Sequence, residues 1–362
     1  MSSQFYPLRV NSLHRDTEHA VVVTFEVPAE LADRFSFTQG QYLTLRRQIG
    51  GEQVRRSYSI CAGLDDGHLR VAIKHVTGGV FSGWANTQLK PGETLDVMPP
   101  RGDFFTAIDP QQSKHYLCIC AGSGITPVLS IIKTILAREP GSTVTLLYGN
   151  QRTATMMFRH ELAFLKNAHL QRFHWVNIFS REPQATDLLS GHLDNRKGGA
   201  LNKCLISIRD FDEFFLCGPE AMISEVSRGL RSEGVSEHNI HFELFASSAE
   251  NARKAVERHH IRAQEYKGMV SEVSILSGGR EYHFELNTDG KNILDAGLSN
   301  GVDLPFSCKG GVCATCKACL LEGEVDMDLN QALRSDEIEG GFILTCQSHP
   351  ISEKVVIDFD QV

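Results

Sequence analysis

Cys308, Cys313 and Cys316 stand in the spacing C-x4-C-x2-C, and a fourth thiol, Cys346, lies further along the chain. Three thiols in so short a loop converge on one centre, and the backbone between them must curve around it. Gly310 and Gly311 fall where that backbone passes closest. Without a Cβ they allow the approach and leave N–H groups free to point at sulfur. The arrangement predicts four thiolates around two irons, a soft anionic centre of low potential that passes one electron at a time. Zinc is the competing reading, because Cys313/Cys316 and Cys316/Cys319 are each C-x2-C pairs. A zinc ribbon, however, needs a second, separate knuckle, and none surrounds Cys346. Cys319 is then surplus, expected to pack on a strand over 317–321 rather than to ligate.

At 362 residues the chain exceeds what one hydrophobic core supports, so a multidomain protein is expected. Residues 1–107 carry short β runs at 21–27, 42–47, 56–60, 69–76 and 94–98, broken by turn pairs such as Asp66-Gly67 and Pro91-Gly92. That rhythm predicts a small antiparallel β-barrel. Over 108–247 strands and helices alternate (116–120, 127–137, 143–148, 173–179, 214–217), as in an α/β domain with a parallel sheet. Residues 248–268 are charged and poor in large apolar groups, and read as an interdomain linker. Residues 269–362 contain a predicted hairpin (270–276, 281–286), a helix beginning near Asn292, the cysteine loop and a closing strand over 354–359.

The net charge is −8, which argues against nucleic acid as a partner, and it is unevenly placed. Residues 270–362 hold 16 acidic and 6 basic residues, while the rest of the chain holds 28 and 30. Glu322, Glu324, Asp326, Asp328, Asp336, Glu337 and Glu339 face only Arg334 as counter-charge within their stretch. An acidic docking face is expected there, screened by salt. No window is apolar over the roughly 18 residues that span a bilayer, and the N-terminus has no basic stretch followed by an apolar run, so a cytoplasmic protein without membrane contact is expected.

Several motifs carry a resemblance to known families. Residues 269–362 resemble plant-type [2Fe–2S] ferredoxins of β-grasp (α+β) fold, in the approach Asn292-Ile293-Leu294-Asp295-Ala296, in Leu304-Pro305-Phe306-Ser307-Cys308, and in the cysteine spacing. The resemblance makes Cys308, Cys313, Cys316 and Cys346 the cluster ligands. The run Arg56-Ser57-Tyr58-Ser59 resembles the R-x-Y-[ST] flavin motif of the ferredoxin–NADP reductase family. Arg56 and Tyr58 share a strand face, so a guanidinium can hold a pyrophosphate while a phenol ring lies on the isoalloxazine. By analogy Ser59 bonds near the hydride-accepting flavin nitrogen. Gly78-Gly79-Val80-Phe81-Ser82 resembles the loop that meets the flavin phosphates at a helix start, with Gly79, Val80 and Ser82 as the residues carried over. FAD is the expected flavin.

Ala121-Gly122-Ser123-Gly124-Ile125-Thr126-Pro127 follows a strand and opens a helix, with proline where a dinucleotide turn usually has its third glycine. It resembles the reductase family's G-x-G-x-x-P turn, and Cys217-Gly218-Pro219 its C-G-P motif, whose cysteine sits beside the nicotinamide. Gly124, Thr126, Pro127, Gly218 and Pro219 are thus expected at the nicotinamide cofactor, and Tyr58, Ser59 and Cys217 at the reacting atoms. No carboxylate appears near Tyr148-Gly149-Asn150, and Ser180-Arg181-Glu182 resembles the run that grips a 2′-phosphate, so NADPH is expected through Ser180 and Arg181. Phe245, ending His241-Phe242-Glu243-Leu244-Phe245, joins the cofactor-binding set; its neighbour Leu244 stands where relatives place arginine. The domain order resembles reductases that serve bacterial oxygenases. The implied function is electron transfer from NADPH through FAD to the cluster and on to the oxygenase component of a multisubunit monooxygenase, which alone would hold the substrate. A Rieske-type partner is the alternative. A redox sensor is disfavoured, because no DNA-binding element accompanies the cysteines.

Overall fold

The computed structural model describes residues 4–245 and 249–361. The chain divides into two compact units, Phe5–Glu243 and Leu244–Val362.

The first unit opens with six antiparallel strands in the order Glu52–Ser59, Tyr42–Ile49, Thr94–Val97, Tyr6–Thr17, Ala20–Glu26 and Leu69–Lys74. An isolated bridge between Ile60 and Val71 brings the two ends together as a barrel. The first strand follows the expected alternation: Leu8 and Val10 are buried while Arg9 is exposed. Ala20–Glu26 breaks it, because both of its faces are covered. Val21, Val23 and Phe25 point into the barrel core, whereas Ala20 and Val22 join the core of the following domain with Cys118, Ile132 and Phe215. One strand therefore serves two cores, and this is why barrel and α/β domain form a single unit. A charged clip adds to the seam: Glu161 takes both Arg70 from the barrel and Lys133, and Lys133 also bonds Asp66.

The α/β domain is a five-stranded parallel sheet in the order Ile240–Glu243, Glu213–Cys217, His115–Ala121, Thr143–Asn150 and Phe173–Phe179. Helix Ile125–Arg138 is buried along most of its length. The edge strand Ile240–Glu243 is too short to announce itself in the sequence.

In the second unit the segment read as a linker contains a helix, Ala249–Glu265. Its Arg262 is 2% exposed, so one face of this charged helix is packed into the unit while most of its other described residues stay exposed. A mixed five-stranded sheet follows, in the order Arg280–Asn287, Val270–Ser277, Lys354–Asp358, Lys317–Glu322 and Phe342–Leu344. Asn292 caps helix Ile293–Ser299 through its side chain on the Asp295 N–H. Val273, Ile275, Leu294, Leu304 and Ile357 make the core. Among the described residues no helix is long and apolar enough to cross a membrane.

Candidate functional site

Parallel pairing aligns the ends of three strands. Cys217 is in register with Cys120 on one side and with Glu243 on the other. From the barrel, Ser59 ends strand Glu52–Ser59, is nearly buried, and donates its hydroxyl to Glu243 Oε2 at 3.0 Å. Ser59 and Cys217, both expected at the reacting atoms, thus converge on a carboxylate that motif reading passed over, although it lies inside the segment 241–245. Burial pushes the Glu243 carboxyl up to about 8, against the bond from Ser59. Burial, with Glu243 and Cys120 alongside, holds Cys217 well above its ordinary value as a neutral thiol. Tyr58 packs its ring 5.6 Å from Phe81 of helix Val80–Thr87, while Arg56 stays exposed on the same strand and donates to the Arg55 carbonyl at 2.7 Å. Gly78 has φ +76 and Gly79 is the N-cap of that helix, where Ser82 closes the loop by accepting from Val76 N–H and donating to the Gly79 carbonyl. Val80 is exposed at the helix start.

The glycine turn lies against the same strand ends. A Cβ on Gly124 would stand 2.0 Å from the Cys217 carbonyl oxygen, and one on Gly218 2.6 Å from Met222 Cε. Gly124 is therefore imposed by close backbone approach, whereas at Gly218 the nearest obstacle is the mobile end of a methionine side chain. Thr126 donates to the Ser123 carbonyl at 3.0 Å, and Thr126 and Pro127 are buried at the start of helix Ile125–Arg138, a helix N-terminus of the kind that suits a pyrophosphate. Pro219 caps the neighbouring helix Glu220–Ser232. Ser180 and Arg181 donate their N–H groups to the carbonyls of Asn150 and Gln151, which places this pair beside the loop after strand Thr143–Asn150. Glu182 does not face that opening alone: Thr153 donates to it from both backbone and hydroxyl, keeping it an anion below its ordinary value.

In the second unit the four cysteines form two pairs. A hydrogen bond from Cys313, aided by the N–H groups of Gly310, Val312 and Cys313, lowers the Cys308 thiol to about 6. Cys316 and Cys346 make the other pair, and the Cys346 thiol is lowered by Cys316 and Gln347. Lys309 and Ala314 take positive φ values of 52° and 50°, a backbone strain that concentrates where function demands it. Donors aimed at sulfur and a loop bent around a common centre fit an anionic cluster. Cys319 lies on strand Lys317–Glu322 and bonds none of the four. Phe245 is 41% exposed.

Three family models match these parts: an oxidoreductase FAD-binding domain over residues 7–105, an oxidoreductase NAD-binding domain over 118–228 and a 2Fe-2S iron-sulfur cluster binding domain over 276–350. Fold and site together define an NAD(P)H-dependent flavin and iron–sulfur oxidoreductase that passes electrons to a [2Fe–2S] cluster for an oxygenase. The chain belongs to the family of oxygenase reductase components that includes one of the subunits of the 1,2-phenylacetyl-CoA epoxidase of Escherichia coli (strain K12), a polypeptide to which it is 42% identical over 98% of each chain. It is also 30% identical, over 97% of its length and 96% of the relative's, to the ferredoxin reductase component of 3-ketosteroid-9-alpha-monooxygenase of Rhodococcus rhodochrous. Among solved structures, phthalate dioxygenase reductase shares the fold with a TM-score of 0.60 at 23% identity, covering 98% of each chain.

Proposed function

We propose that this chain carries electrons from NADPH, through FAD and the [2Fe–2S] cluster, to diiron oxygenase subunits that epoxidise phenylacetyl-CoA in the cytoplasm. The observation that supports this partner is the end-to-end likeness to the Escherichia coli epoxidase polypeptide. FAD, when bound, takes up two electrons as hydride and gives them up singly to a cluster that accepts one at a time. The chain's own residues divide the remaining work. Arg56 holds the flavin pyrophosphate, Tyr58 lies along the ring system, and Gly79, Val80 and Ser82 offer the helix start to phosphate. Phe245 is a further cofactor-binding residue. Gly124, Thr126, Pro127, Gly218 and Pro219 shape the cleft for the dinucleotide, Ser180 and Arg181 grip its 2′-phosphate, and Cys217 lies beside the nicotinamide. Glu243, with Ser59, holds a proton at the strand ends. Cys308, Cys313, Cys316 and Cys346 bind the cluster.

The oxygenase docks on the acidic face of the cluster module. Asp326 and Asp328 are occupied by Arg258 and Arg262, Glu337 by Lys317 and Asp336 by Arg334, so the steering charge falls to the exposed Glu324 and to Glu339, which ends helix Ser335–Glu339 beside exposed Ile338. Reconstitution with the epoxidase's oxygenase subunits, following NADPH-dependent epoxidation of phenylacetyl-CoA, tests the reading. Turnover with those subunits is expected. Turnover only with a Rieske-type oxygenase would replace the proposed partner.

A further inference from the structure

We propose that Arg262, from the helix that precedes the cluster module, is a positioning residue for the cluster: it clamps that helix to the acidic two-stranded ribbon behind Cys346 and balances the ribbon's charge. This rests on Cys346 being a ligand. Arg258 and Arg262 are one helical turn apart and face the same way. Arg258 reaches Asp326 Oδ1 at 2.9 Å through Nε, and Arg262 Nη1 donates to Asp326 Oδ2 at 2.8 Å and to Asp328 Oδ1 at 2.7 Å. A guanidinium as buried as Arg262 is tolerated only when paired, and without it Asp326 would keep only the exposed Arg258 and Asp328 only His349.

The two-stranded ribbon that carries these aspartates leads straight to the cysteines. Strand Val325–Met327 pairs antiparallel with Ser348–Pro350, Asp326 opposite His349. Asp328 donates its N–H to the Gln347 carbonyl at 2.8 Å and lies 3.2 Å from His349 Nε2. Gln347 in turn donates to the Lys309 carbonyl at 3.0 Å and to Cys346 Sγ at 3.6 Å, and Gln331 N–H reaches the Gly311 carbonyl. The segment from Asp326 to Gln331 therefore braces both the cysteine loop and the turn of Cys346, with Arg262 fixing it from behind.

A divalent cation is the rival occupant, because His259, Asp328 and His349 each offer a ligand atom within 4.8 Å of the others. Arg262 argues against it. Its Nη2 lies 2.9 Å from His259 Nδ1 and its Nη1 already holds Asp328, so a second cation would meet a fixed positive charge. Balance of charge gives the arrangement its consequence for electron transfer. Reduction adds a negative charge to a centre held by four thiolates, and two carboxylates deprived of their buried cation would oppose it.

The test uses the holoprotein. Arg262→Met is expected to lower the cluster's midpoint potential in an EPR-monitored titration and to speed iron loss to a chelator by roughly tenfold or more, with flavin reduction by NADPH unchanged. Adding Asp326→Asn and Asp328→Asn to it should bring the potential back toward the parent's. A parental potential and parental iron retention in folded Arg262→Met would overturn the proposal. Should that variant fail to fold, Arg262→Lys keeps the charge without the fork: parental potential with faster iron loss is expected, and parental iron retention would overturn the clamp. Iron and sulfide analysis of Cys346→Ser separates the two readings, since an intact cluster there removes the ligand assignment whatever Arg262 does.

Discussion

The Ser59 hydroxyl donates to the Glu243 carboxylate across 3.0 Å and 184 residues of sequence, joining the end of a barrel strand to the last strand of the parallel sheet. Glu243 is protonated at neutral pH, because burial raises it to about 8. The pH dependence of NADPH-driven ferricyanide reduction should therefore show an inflection near pH 8 that disappears in Glu243→Gln. The stability sign is also set. An unfolded carboxyl ionises at about 4.3 and the folded one later, so between those values the native state binds more protons and stability falls as pH rises. Thermal melts of Glu243→Gln should gain on the parent as pH is raised through that window; a difference independent of pH would contradict the buried titration.

Gly124 leaves no room for a methyl group, with the Cys217 carbonyl 2.0 Å from any added Cβ. Gly124→Ala must push the glycine turn from the strand end. Hydride transfer should drop sharply and the first unit should melt earlier, while the visible spectrum of the cluster, carried by the other unit, persists. Parental kinetics in this variant would mean that the turn relaxes at no cost.

Arg181→Ala should weaken NADPH use by roughly 10- to 150-fold, the equivalent of one charge-assisted hydrogen bond of about 1.5–3 kcal/mol, and hardly change NADH use. Steady-state kinetics with both cofactors decide it, since equal losses would place Arg181 outside the 2′-phosphate site.

Each of Cys308, Cys313, Cys316 and Cys346, replaced by alanine, should cost the iron, the acid-labile sulfide and the EPR signal of the reduced protein, whereas Cys319→Ala should keep all three. Retention in Cys346→Ala with loss in Cys319→Ala would reverse the assignment.

Coupled turnover with the oxygenase should fall steeply as salt rises, with a Debye length of about 10 Å at 0.1 M, while ferricyanide reduction changes little. Glu324→Gln with Glu339→Gln should reproduce the high-salt behaviour at low salt. Glu337 is unsuited to this test: it bonds Lys317 and accepts the Arg334 N–H at the helix start, so its neutralisation would loosen the helix as well. Coupled turnover indifferent to both salt and the double variant would remove the acidic face from docking.

The parts that local chain geometry controls were legible in the sequence. Cysteine spacing sets how a short loop wraps a centre, strand periodicity puts Arg56 and Tyr58 on one face, and a glycine turn between strand and helix marks a phosphate-binding start. Strand Phe173–Phe179 and the cap at Asn292 followed from apolar runs and from a polar side chain before a helix. What the tertiary structure decided depends on residues far apart in the chain. The largely apolar run of Ala20–Phe25 reads as one buried strand, and only the packed molecule shows that its two faces feed two cores. Parallel register alone brings Glu243 beside Cys217. A charged stretch such as 248–268 looks solvated because sequence cannot show its partners; Asp326 and Asp328, waiting on a distant two-stranded ribbon, neutralise Arg262 and so allow burial of a group that water would otherwise keep.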